Sequence, residues 1–253
     1  MSKIRLIALF IIFLALSLVF TLPASFALKE VSLDKNLKIG AVHGVWWSFN
    51  VDWVSYQQMT LEKVKVKLNL SCLMSASVCV DVLNEQLDVQ LKKPLFNNEI
   101  LIENSTLDVD FDDLAPLMKT LFVKPSGSLA ITIDRLQLNQ QALIALEADI
   151  KWYAVGVQGE AFDLGTIQAK VSHQPQLINI VLSDQSNKLD LSGTIKLKQS
   201  GLMGSQIELT TREGFPTQIK SILQGVMHKR GRDTFEYQSK VDLPVIKKSH
   251  LEF

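Results

Sequence analysis

The sequence has only two cysteines, Cys72 and Cys79, too few for a disulfide scaffold and short of the four ligands a structural zinc site uses. It also has no excess of either charge. Lysine plus arginine and aspartate plus glutamate each total 26 in 253 residues, so no net field steers the chain toward DNA, RNA or an anionic surface. Catalytic signatures are missing as well. No Gly-x-Ser-x-Gly elbow, His-Glu-x-x-His pair, phosphate-binding glycine loop or dinucleotide fingerprint occurs, which argues against a hydrolase or a cofactor enzyme. The four histidines, His43, His173, His228 and His250, stand in unrelated contexts and read as surface residues. The expectation is a non-enzymatic chain with no cofactor and no metal.

What the sequence does contain is one long uncharged run, Leu6 to Leu28, preceded by Lys3 and Arg5. Its most apolar part would span about 25 Å as a helix, just enough for a bilayer core. Two readings stay open, an uncleaved anchor and a signal peptide cut near Ser25-Phe26-Ala27. Either way, the positive N-terminus stays in the cytoplasm and the rest crosses. The expected plan is residues 1–5 cytoplasmic, 6–28 a transmembrane anchor and 29–253 a β-rich domain beyond the membrane.

Past Lys29 the dominant pattern has period two. Val64, Val66, Leu68 and Leu70 alternate with Lys63, Lys65, Lys67 and Asn69, which predicts a strand with one wet face. Comparable runs begin at Leu87, Leu107, Leu129, Ile144, Ile178, Leu189 and Val241, and helical crossovers are missing from nearly every gap. The fold class expected is all-β and mainly antiparallel: a long curved sheet or partly open barrel with one or two short helices, following the N-terminal transmembrane helix. The helices are expected at Asp113–Phe122 and Phe215–Lys229, where apolar residues fall three and four apart.

Three features invite a functional reading. Asp108, Asp110, Asp112 and Asp113 have the acidity for calcium, but the glycine and distal glutamate of a calcium loop are absent, and a solvated strand face explains them. Cys72 and Cys79 flank a hairpin turn. They could form a disulfide clip, two free buried thiols or a redox pair; the clip fits an oxidising compartment best, and the missing Cys-x-x-Cys spacing speaks against the redox pair. Trp46, Trp47, Phe49 and Trp53 crowd the start of the β region; they suit core packing or a sheet-end plug, and they are also candidate partner contacts. On an extended strand, Trp47 and Phe49 would face one side and Trp46 the other.

Several short motifs together carry a resemblance. Thr21-Leu22-Pro23-Ala24 ends the apolar run, and Val42-His43-Gly44-Val45-Trp46 follows, close to a Val-x-Gly-Thr-Val-Trp pattern. Then come Gly127-Ser128-Leu129, Trp152 at the close of an alternating strand, and Phe162-Asp163-Leu164-Gly165. In order, length and topology the chain resembles protein N of the type II, or general, secretion system. Valine replaces the pattern's threonine at Val45, so no hydroxyl works there. The resemblance implies an accessory or scaffold component, anchored in the inner membrane of a Gram-negative bacterium. Its bulk would lie in the periplasm, its partners would be other secretion proteins, and the machine it serves moves folded proteins out of the periplasm. A runner-up is a lipid-binding or lipid-handling β module, because a long curved sheet that does not close leaves an apolar groove.

Overall fold

The computed structural model describes residues 3–29, 36–56, 59–114, 124–139, 142–157, 163–198 and 200–242. By contact, the chain divides into two compact units, Met1–Phe96 and Asn97–Phe253.

The first unit opens with helix α1 (Lys3–Thr21) and a short helix α2 (Ala24–Lys29). Strands β1 (Leu37–Ile39), β2 (Val42–Val45), β3 (Ser48–Tyr56), β4 (Met59–Asn69), β5 (Ser77–Leu83) and β6 (Leu87–Pro94) follow. They form an antiparallel sheet in the order β1-β3-β4-β5-β6, with β2 also paired to β3. Alternation does what the sequence predicts in β4. Val64 is buried at 3% exposure and pairs with buried Val51, while Lys63, Lys65 and Lys67 are exposed. Between β4 and β5 the chain makes one 3-10 helix, Leu70–Ser75, instead of a tight turn. Asn69 caps it by accepting from the Ser71 amide, and Ala76 exits in the left-handed region.

The second unit holds β7 (Glu99–Asp110), the one-turn helix α3 (Phe111–Leu114), and β8 (Pro125–Asn139) to β13 (Leu202–Thr211) as successive antiparallel neighbours. The intervening strands are β9 (Leu143–Val157), β10 (Ile167–Gln174), β11 (Leu177–Asp184) and β12 (Leu189–Lys198). Helix α4 (Thr217–Val226), β14 (His228–Lys229) and β15 (Thr234–Asp242) complete it, with β15 against β13 and β14 outermost. This sheet is open: its order runs from β7 to β14 without returning on itself. The helix expected at Phe215–Lys229 is α4, trimmed at both ends. Most of the one expected at Asp113–Phe122 lies outside the described residues, as does the strand continuation through Leu243 and Val245.

Full burial is confined to a few places. Val155, Leu164, Leu189 and Leu191 cluster, with Trp152, Ile167, Ile207, Leu209 and Phe215 packed around them. Phe235 is completely buried, and Val109 and Phe111 anchor the β7 end. Elsewhere the apolar rows, such as Leu129, Ile131, Ile180 and Ile195, stay half-exposed among the described residues.

One bulge and one corner explain residues that composition alone leaves unexplained. At Gly127 φ is +104°, and a Cβ there would lie 2.2 Å from the Tyr153 carbonyl oxygen, so only glycine lets β8 approach β9 at this irregular step. Trp152 fixes the same step by donating its indole N–H to the Ser126 carbonyl at 2.9 Å while its ring meets Phe111 at 5.0 Å. At the corner before β10 the Leu164 N–H donates to Val155 O, the Val155 N–H donates to Gly165 O, and Asp163 accepts from the Gly165 amide.

Candidate interaction site at the end of the first unit

Trp46 and Trp47 do not lie on an extended strand. Val45 pairs with Ser48, so the two tryptophans are the turn between β2 and β3, and the expectation that they point to opposite sides of a strand is corrected. Gly44, with φ at +120°, bends the chain into that turn, where a Cβ would meet the Ser48 carbonyl oxygen at 2.6 Å. No Asn-Gly or Asp-Gly marks the turn, which is why sequence reading passed over it.

The tip seats on the C-terminal end of α1. The last four carbonyls of a helix lack partners within it. Here Trp46 Nε1 donates to Val19 O at 2.7 Å and Trp47 Nε1 to Phe20 O at 3.1 Å. The Trp46 amide donates to Leu22 O at 3.0 Å, and Thr21 Oγ1 donates back to Ser17 O at 2.8 Å. Pro23 bridges to Val45, and Ala24 is buried at 1% exposure. From the other flank the Leu68 amide donates to Trp47 O at 2.8 Å, locking the tip onto β4.

The remaining aromatics are placed differently. Phe49 is half-buried opposite Val66. Trp53 keeps 40% of its surface exposed, and its ring lies where a Cβ on Gly40 would come within 2.7 Å. Cys72 and Cys79 are bonded, with Cα atoms 5.9 Å apart, joining the 3-10 helix to β5.

The other sequence candidates stay apart. Asp108 and Asp110 are exposed on β7 opposite the buried Val109 side, and Asp112 and Asp113 begin α3. Among the described residues no three His, Cys, Asp or Glu side chains converge as a metal site would need. His43 lies 3.7 Å from Asp52 with both exposed, His173 and His228 sit on β10 and β14, and His250 is outside the described residues. In the second unit, Asp233 is held below the usual carboxylate range, first by its hydrogen bond to Lys220 and then by the charges of Lys220, Arg232 and Lys229, with desolvation opposing. Arg230 pairs with the nearly buried Glu236 nearby. These are fastenings of α4 and β14 onto β15.

A family model of type II secretion system protein N matches residues 35–236. The chain belongs to the type II secretion system protein N family. No curated protein and no solved structure matches it. As a type II secretion protein N it is a component of the secretion machinery, and such a component works through contact with other proteins of the system. The short motifs that carry the resemblance fall at the structurally demanding points already described: Gly44 to Trp46 at the turn, Gly127 to Leu129 at the bulge, Trp152 over it, and Asp163 to Gly165 at the corner.

Proposed function

We propose that this protein N is a non-enzymatic scaffold of the type II secretion system, held at the inner membrane by residues 6–28 with residues 29–253 in the periplasm. The observation that carries the reading is the family match together with the way α1 meets the β region. Leu9 to Leu14 are six consecutive residues, covering more than a full helical turn, and every one is at least 48% exposed. Among the described residues no protein face covers that surface, and an apolar helix bare on all sides is at home in lipid. Among the described residues no helix is long and apolar enough to cross a membrane. The support therefore comes from the helix's bare apolar surface, the Lys3 and Arg5 charges before it, and the capped carbonyls at its far end.

Partner contact is assigned to the aromatic group, with divided labour. Trp46 and Trp47 hold α1, Phe49 is half-buried opposite Val66, and Trp53 offers the accessible ring. Fusing a reporter after Phe253 tests the topology, since only a periplasm-dependent reporter should be active. A mature N-terminus at Leu28 would show that the segment is cleaved. Replacing Trp53 with alanine should keep the thermal melt and weaken recovery of secretion partners. Alanine replacement of Asp108, Asp110 and Asp112 should leave both unchanged.

A second reading, lipid handling, is favoured by the half-exposed apolar rows of the open second sheet. Mass spectrometry of lipid retained after delipidating purification separates the two, because a scaffold retains none in stoichiometric amount.

A further inference from the structure

Register places several distant residues at one end of the first unit. Ser48 pairs with Lys67 and Asn69 with Cys79, so the Trp46-Trp47 tip, the 3-10 helix Leu70–Ser75 and the start of β5 lie together. Ser77 pairs with Pro94, and the Leu95 amide donates to Ala76 O at 2.9 Å, which brings the end of β6 to the same place. The C-terminus of α1 also arrives there, through the indole bonds.

This end is apolar and bare. Met74 is 94% exposed, Phe96 90%, Leu95 55% and Leu73 51%, and the Cys72–Cys79 link holds the turn that carries the first and last of these. Large hydrophobic side chains so exposed, grouped at the tip of a clipped turn, mark a contact surface and not a solvated loop. Charge changes sharply behind them. Lys93 and Lys92 precede Pro94 on β6, about 7 to 10 Å from Leu95 at strand spacing, while Lys67 on β4 lies two residues deeper than Lys92, level with Asp81 and Gln90. Apolar tips backed by lysines at that depth match an anionic bilayer, with side chains in the interfacial layer and ammonium groups at the headgroups. The helix end beside them fixes which surface they meet, for an apolar helix leaving a bilayer delivers its C-terminal neighbours to the same interface.

We propose that this end of the first unit is a membrane foot: Leu73, Met74, Leu95 and Phe96 enter the interfacial layer of an anionic bilayer beside the emerging α1, and the disulfide holds the Leu73-Met74 turn in the inserting shape. The foot would fix how the first unit stands on the membrane. It rests on the reading of α1 as the anchor, so the test separates the two.

The full chain, with its native disulfide intact, is reconstituted into nanodiscs of phosphatidylethanolamine and phosphatidylglycerol. An environment-sensitive NBD fluorophore is placed in turn at Met74→Cys, Phe96→Cys, Phe13→Cys and Glu85→Cys. Glu85 sits at the opposite end of the sheet, where it pairs with Lys63 at 3.6 Å, roughly 25 Å along the strands from Ser77. Labels at 74 and 96 should shift to the blue and be quenched by lipids carrying a spin label near the headgroup. The label at 85 should behave as in water, and that at 13 should be quenched from mid-bilayer. With phosphatidylcholine alone, quenching at 74 and 96 should weaken. If 13 is quenched while 74 and 96 match 85, the anchor stands and the foot is refuted, the patch then being free for a protein partner. If 13 is not quenched from mid-bilayer, the anchor reading fails and the foot fails with it. Quenching that ignores lipid charge refutes the assignment of the lysines.

Discussion

Replacing Trp47 with phenylalanine keeps an aromatic ring at the hairpin tip and removes a single N–H. In the native chain that group donates to Phe20 O at 3.1 Å, and Trp47 O accepts from Leu68 on the other flank, which the substitution leaves alone. A net hydrogen bond contributes about 0.5 to 1.5 kcal/mol, and this one is exposed, so no buried carbonyl is orphaned by its loss. The seat of the tip on α1 should weaken by about 0.5 to 1.5 kcal/mol, a factor of about 2 to 10 in local opening. The neighbouring Trp46 amide, bonded to Leu22 O at 3.0 Å, reports that opening directly through hydrogen exchange of the full chain in lipid. Its protection should fall by that factor while the β4 amides keep theirs. Trp53→Phe is the control and should leave the Trp46 amide unchanged. Equal protection in native and Trp47→Phe chains, or equal loss in the control, would refute the idea that indole capping holds the helix.

Further outcomes follow from other parts of the fold. Replacing Cys72 and Cys79 with serine should lower stability by at most about 2 to 3 kcal/mol, since the loop closed is short, and alkylation of the native protein under non-reducing, denaturing conditions should modify neither thiol. Gly127→Ala must relieve a 2.2 Å contact against backbone at φ +104° and should cost about 2 kcal/mol or more in a chemical denaturation midpoint, whereas Gly204→Ala, whose Cβ meets nothing within 4 Å, should cost much less. Asp233 has a folded-state pKa below its ordinary 3.8, so the stability it lends is complete above that value and drains away as pH falls through the lowered pKa. Asp233→Asn should therefore flatten the acid limb of a melting-temperature profile below about pH 4 and leave its shape near neutrality unchanged.

Much of the β architecture was legible because period two survives wherever one face is wet. Lys63, Lys65 and Lys67 against Val64 is one case, and Asp108 and Asp110 against Val109 another. Extended pairing then followed from the short gaps. The Trp46-Trp47 turn was not legible, since neither residue is a turn former and the bend depends on Gly44 and on hydrogen bonds to carbonyls 27 positions earlier. The 3-10 helix after Asn69 was hidden for a similar reason: Leu70 continues the strand's alternation, and it is the Asn69 cap that breaks it. Nothing in spacing alone indicated that Met74 and Phe96 would share one end of a sheet, because that follows from register across β4, β5 and β6.

The central claim, that this protein N acts by holding other secretion proteins at the inner membrane, is tested most directly by affinity isolation of the full chain from mildly solubilised membranes. The eluates of a complete strain and of one lacking the remaining type II secretion proteins would be compared for both protein and lipid. The account predicts secretion-system proteins in the first eluate, reduced by Trp53→Ala, and none in the second. Stoichiometric phospholipid in both eluates with no secretion protein in the first would contradict it.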